Sequence, residues 1–259
     1  MNTIQLTINA WNAWTPGVET REQWDEWAED LRTPLDQATA PKAEGIPPML
    51  RRRLSSLGKM ALAVAAPLAR ANPGIASVFC SQHGELERTV QLLTEVAGQQ
   101  PLSPTQFSLS VHNAIGGLLS MATKDPSPMT ALACEDGEVS AALLEAALIA
   151  REQDNRQALC VIYDEPLPSP YPRDDMPPAR PYALALVIYV GDNPAPGACP
   201  LELQVLSPDT AQGALLAKGG DEPEALQLVR LLLLQKQQQL TLASARHTWR
   251  WCKLQVTEP

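Results

Sequence analysis

Ile75-Ala76-Ser77-Val78-Phe79-Cys80 is a short apolar run that follows the turn signal Asn72-Pro73-Gly74. That length and punctuation belong to a strand buried in a sheet. Its neighbours decide the fold. Upstream, Met49 to Ala71 sets Leu54, Leu57, Ala61, Val64, Ala65 and Leu68 on one helical face. Downstream, Gly84 to Val96 returns to helical spacing through Leu86, Val90, Leu93 and Val96. The alternation then repeats with a helix of small and aliphatic residues from His112 to Thr123, an extended Met129 to Cys134, an alanine-rich helix from Gly137 to Arg151, and a buried strand from Leu159 to Tyr163. Strands alternating with helices of this length predict βαβ units and a three-layer α/β/α architecture.

Both flanks extend the sheet. Thr3 to Ala10 alternates apolar and polar residues like a strand, and Trp11 to Gly17 reads as a turn before an acidic helix with Trp24 and Trp27. Residues 33 to 48 hold four prolines and read as loop. Seven prolines between Pro166 and Pro181 predict a surface loop. Strands follow at Tyr182 to Val190 and Leu201 to Leu206, then a helix from about Pro223 to Leu242 whose exposed end carries Gln235, Gln237, Gln238 and Gln239. His247 to Val256 closes with a strand.

Composition removes several function classes. The 259 residues carry 20 basic against 29 acidic groups, net −9, unlike a general binder of nucleic acid or anionic membranes. No apolar run reaches the roughly 18 residues that span a bilayer. The start has no basic, apolar-cored leader, so the expectation is a cytoplasmic protein. Cys80, Cys134, Cys160, Cys199 and Cys252 are odd in number and scattered, which reads as buried free thiols. His83, His112 and His247 have no metal-ligand spacing, so neither metal nor cofactor is expected.

Pro104 to Gly117 is the richest stretch chemically. It reads as an extended segment passing into a glycine-containing helix start, where backbone can approach a ligand or another chain. Ser108 or Ser110 with His112 is a conceivable hydrolytic pair, but residues two apart on a strand seldom form the required hydrogen bond, and no Gly-x-Ser-x-Gly elbow is present. The plainer reading has the hydroxyls capping the helix at Asn113 and His112 held in a polar contact.

The pattern Ser103-Pro104-Thr105, Phe107-Ser108, Ser110-Val111-His112-Asn113-Ala114 and Gly117 resembles the N-terminal domain of β-ketoacyl synthase-like proteins. It resembles in particular the short chain length factors of bacterial aryl polyene and related fatty-acid-like clusters. Trp14-Thr15-Pro16-Gly17, Arg51-Arg52-Arg53-Leu54-Ser55 with Leu57 and Met60-Ala61, and Ser81 to Leu86 agree with it, so the likeness covers about residues 3 to 165. The resemblance implies a thiolase-like fold with a ketosynthase-like first half at 1–165, a loop at 166–181, and a reduced second half at 182–259 on the same core.

A condensing synthase uses an acylated cysteine at a helix N-terminus and two histidines. Between Ser127-Pro128 and Glu145-Ala146, which match the family's flanks, ungapped counting puts Asp136 at the nucleophile position, with Glu135 beside it and Cys134 two residues early. Glu135, Asp136 and Glu138 are expected to raise a nearby thiol's pKa. Past His112 the only histidine is His247, and past Phe107 there is no phenylalanine for the family's second-half loop. The resemblance therefore implies a non-catalytic subunit that pairs with an active synthase, and meets an acyl carrier protein through that complex. The interface or acyl-tunnel wall would be Phe107, Leu109, Ser110, His112, Asn113, Ile115, Leu118, Leu119, Met121, Met129, Ala131 and Cys134. An independent acyl-thioester or ester-processing enzyme using Ser110 or Cys134 is the alternative, and a self-assembling interaction module a third. Arg51 to Arg53 are a local basic exception, either solvated or carrier-facing.

Overall fold

The computed structural model describes residues 3–18, 20–29, 41–134, 137–171, 180–206, 222–243 and 248–254. Its strands are β1 (Thr3–Trp14), β2 (Ala76–Cys80), β3 (Met129–Leu132), β4 (Gln157–Asp164), β5 (Tyr182–Tyr189), β6 (Cys199–Leu206), β7 (Gln239–Ala243) and β8 (Thr248–Lys253). Its helices are α1 (Arg21–Glu29), α2 (Pro48–Arg51), α3 (Ser56–Ala71), α4 (Leu86–Ala97), α5 (Pro104–Ser110), α6 (Ala114–Thr123), α7 (Glu138–Glu152) and α8 (Glu224–Leu233). The strands form one eight-stranded sheet in the order β3-β2-β4-β5-β1-β6-β8-β7. β2 runs parallel to β3 and β4, and the remaining pairings are antiparallel.

Strand periodicity divides the core into two layers. On β4, Leu159, Val161 and Tyr163 face one side while Ala158, Cys160 and Ile162 face the other. β5 alternates likewise, with Ala183, Ala185 and Val187 opposed to Tyr182, Leu184, Leu186 and Ile188. α3 and α6 cover the first side, and α1, α7 and α8 the second. Fully burying each large aliphatic side chain stabilises by about 1.5–3 kcal/mol. Alanines Ala61, Ala65, Ala142 and Ala146 let the helices lie close to the sheet. α8 is fastened to α1 by Arg230, which sits 4.2 Å over the Trp27 ring and donates to Ala28 O at 2.6 Å.

Several boundaries differ from the sequence reading. β1 runs through the expected turn to Trp14, because β5 pairs with it as far as Trp14–Ala183. The helix expected from Met49 is broken at Arg52–Leu54, where the Ser55 hydroxyl restarts it by accepting from Gly58 N at 2.9 Å. The expected extended segment at 104–110 is α5, started by Ser103 as N-cap and a proline in its first turn. The helix expected to reach Leu242 ends at Leu233; the glutamines turn the chain, and Gln239 to Ala243 pair with β8. Of the five free cysteines, Cys80 and Cys160 are buried, but Cys134, Cys199 and Cys252 are only half-buried.

Candidate functional site

β2, β3 and β4 end together at their C-terminal edge, the place where open α/β sheets collect chemistry. Asp164 closes β4 and is buried. It accepts from Ser81 Oγ at 2.7 Å, Gln82 N at 2.8 Å and His83 N at 3.4 Å. Burial raises its pKa to about 6 against the lowering pull of these donors. Glu138, first residue of α7, accepts a hydrogen bond from the Tyr182 hydroxyl. Burial, then the charge of Asp164, pushes its carboxyl up to about 8. A third carboxyl, Glu165, accepts from Ser56 Oγ at 2.6 Å and is raised by burial to about 7. On the outer side Glu85 accepts from Ser55 Oγ at 2.8 Å and from Arg88 at 2.8 Å.

His112 binds this edge together. Its Nε2 donates to Leu132 O at 3.0 Å, at the end of β3. The ring lies against Gly84, where an added Cβ would meet Nδ1 at 2.6 Å, and Gly84 has φ +56°. Gly116 likewise makes room for Met129, whose sulfur would lie 2.8 Å from an added Cβ. The two thiols at this edge lie on one face of the sheet, Cys134 packing against the buried cluster that holds Cys80. Interaction with Cys80 lowers Cys134 to about 7, whereas interaction with Cys134, then burial, pushes Cys80 far up. Glu138 does not oppose this below about pH 8 because it is neutral there.

The other candidates fall into clear groups. Ser110 Oγ donates to Phe107 O at 2.9 Å and Ser108 Oγ to Thr105 O at 2.9 Å, both within α5, so no Ser–His pair forms. Asn113 caps α6 without a side-chain bond, and the serine cap belongs to α5. Ile115, Leu118 and Leu119 are buried against α3, and Leu109 packs partly there. Phe107 and Met121 are 61% and 53% exposed. Met129 and Ala131 lie on β3, half-buried along its whole length and, among the described residues, paired only with β2. Glu135, Asp136 and His247 lie outside the described residues. Lys42, Arg51, Arg52 and Lys59 surround a cavity of about 460 Å³ with Pro41 and Glu44. Arg53 is not among its lining residues; its carbonyl accepts from Arg88 at 2.6 Å.

Asp164, Glu138 and Tyr182 as a unit escape sequence reasoning, since their partners come from separate strands. A carboxylate ending an apolar strand, as in Tyr163-Asp164, is the one available signal. A second missed feature is apolar surface. Leu93, Val96, Leu102, Phe107, Val111 and Met121 are all exposed, on or beside α4, α5 and α6, with α5 packed against both neighbours.

This topology, with helices on both faces and polar groups gathered at the strand ends, defines a thiolase-like ketosynthase fold. The family model for the β-ketoacyl synthase N-terminal domain matches residues 24–252, and the chain belongs to that family. The match continues well past residue 165, as the insertion of β5 between β4 and β1 requires. No curated protein matches. Among solved structures, a chain of the ketosynthase ApeO in complex with its chain length factor ApeC, from Xenorhabdus doucetiae, is 27% identical with a TM-score of 0.80, covering 96% of this chain and 99% of that one. The ishigamide ketosynthase/chain length factor gives 12% identity and a TM-score of 0.70, covering 96% and 98%. A type II PKS acyl-carrier protein in complex with its ketosynthase gives 12% and 0.65, covering 96% and 99%. The latter two speak for the fold alone.

Proposed function

We propose that this chain is a catalytically silent chain length factor: it heterodimerises with an active β-ketoacyl synthase in the cytoplasm and helps shape that partner's acyl tunnel, in aryl polyene or fatty-acid-like biosynthesis. One observation carries the pairing. β3 has no second strand partner among the described residues, and the neighbouring α6 together with α4 and α5 exposes six large apolar side chains, a combination that marks a protein interface. The likeness to a chain of a ketosynthase–chain length factor complex supports the kind of partner. The missing second-half histidine and phenylalanine motifs support silence. Residues 1–165 then act as the ketosynthase-like half and 182–259 as a reduced half on the same core, joined by 166–181.

In this reading Phe107, Ser110, Met121, Met129, Ala131 and Cys134 meet the partner or its acyl chain. His112 and Asn113 set the α5–α6 corner, and Ile115, Leu118 and Leu119 back the wall from the core. The carrier protein docks mainly on the synthase, with the Lys42–Arg51–Arg52–Lys59 cluster as this chain's own contribution. The test is mass in solution, alone and co-expressed with the neighbouring ketosynthase. A stable 1:1 complex is expected, and a homodimer indifferent to the synthase overturns the reading. Phe107→Ala and Phe107→Trp should then shift product length in opposite directions.

The lowered, half-buried Cys134 thiol favours one second reading, an acyl-thioester-processing enzyme. It requires labelling of the isolated chain by an acyl-thioester probe, lost in Cys134→Ser. The Ser110 hydroxyl donates to Phe107 O rather than to a base among the described residues.

A further inference from the structure

The chain length factor role leaves Cys80 unused. This residue ends β2 and is fully buried, opposite Leu132 in the parallel register, so Cys134 follows its strand neighbour by only two residues. Cys134 packs against the buried cluster on the sheet face that holds Cys80, and Cys80 Sγ lies 3.9 Å from Glu138 O. Cys134 is half-buried and open to a small reagent, whereas Cys80 is buried. A half-buried, accessible cysteine beside a buried thiol is the arrangement of an attacking and a resolving pair.

We infer that Cys80 and Cys134 form a redox-active dithiol that closes to an intrachain disulfide on contact with a hydroperoxide. The Cys134 thiolate attacks the outer peroxide oxygen and the O–O bond breaks, leaving a sulfenic acid and releasing water or an alcohol. Cys80 sulfur then attacks the Cys134 sulfur, hydroxide leaves, and the Cys80 proton joins it as a second water. Two thiols thus lose two electrons and the peroxide gains two. A thiol with its pKa near ambient pH suits the first step, and Cys134, at about 7, has that property. The bond would tie the end of β2 to the segment joining β3 and α7, fixing the open edge of the sheet.

The experiment uses the full chain alone, reduced and then given a few equivalents of hydrogen peroxide. Expected are a mass lower by two hydrogens, a fall in free thiols from five to three, and a proteolytic map joining the Cys80 and Cys134 peptides. Cys160→Ser should leave that cross-link unchanged. Cys80→Ser should instead stop at a Cys134 sulfenic acid trapped by a dimedone-type probe. Oxygen addition without the cross-link in the unaltered chain, or a disulfide to Cys160, to Cys199 or between two chains, overturns the inference. None of these outcomes depends on a synthase being present, so the partner reading stands or falls separately on the 1:1 mass.

Discussion

The two ends of the sheet are built differently. At one end β7 presents Gln239 and Thr241 along an edge whose apolar residues, Leu240 and Leu242, turn into the core. With polar residues along its edge and its apolar residues turned inward, it gives a second chain little to hold. At the other end β3 is four residues long, half-buried throughout, and meets α6 at Gly116 and Met129, while Phe107, Val111 and Met121 on and beside α5 and α6 are exposed. The difference teaches that an edge strand alone does not mark an interface; the proposed one rests on apolar surface that the chain itself leaves uncovered.

The comparison can be broken most directly at β3. Val111→Asp with Met121→Glu should weaken the complex with the synthase by about 100-fold or more, in the range of interface hot spots, read as loss of the 1:1 species in light scattering. An undiminished complex would remove β3 as the binding end. Next in size, Glu138→Gln separates burial from charge behind that edge. Glu138 is raised from 4.5 to about 8 in the folded chain, so its stabilising contribution is complete below about pH 4.5 and is lost as pH rises through 8. Gln keeps the acceptor for Tyr182 and cannot ionise. Melting curves of variant and parent should coincide near pH 4.5 and diverge toward pH 9. The variant should then be more stable by a few kcal/mol, since each tenfold change in proton affinity corresponds to about 1.4 kcal/mol.

Gly84→Ala should cost about 1–3 kcal/mol in chemical denaturation, because φ is positive and the methyl displaces His112 from its place beside Leu132. A smaller Kd change than at Val111 and Met121 would separate scaffold from contact surface. Last, Gln239→Lys on β7 should alter stability by less than about 0.5 kcal/mol and leave the complex intact; a lost complex would make the two ends equivalent.

What is legible in the sequence follows from physics of short range. β2, β4, β5 and α7 are continuous apolar or 3.6-periodic segments, and such patterns read without a partner. α5 is hidden because Ser108 and Ser110 alternate like strand residues, although Ser103-Pro104 is a helix start. α4 shows the limit of periodicity. Its stripe through Leu93 and Val96 is real, yet it faces outward, since a pattern states that a face is apolar and not which chain covers it. The position of His112 is readable, but its acceptor lies 20 residues away on another strand. For the Cys134 thiol, charge along the chain is visible in the sequence and the interaction with Cys80 is not.

β1 carries a consequence for biosynthesis. β1 ends at Trp14, yet it is flanked on both sides by strands translated much later, β5 and β6, the latter ending at Leu206. At about 5–20 residues per second, the opening segment waits on the order of 10–40 s for its neighbours. Through that interval Leu6 and Ile8 have no sheet to enter, so nascent chains of this protein should be clients of ribosome-associated chaperones.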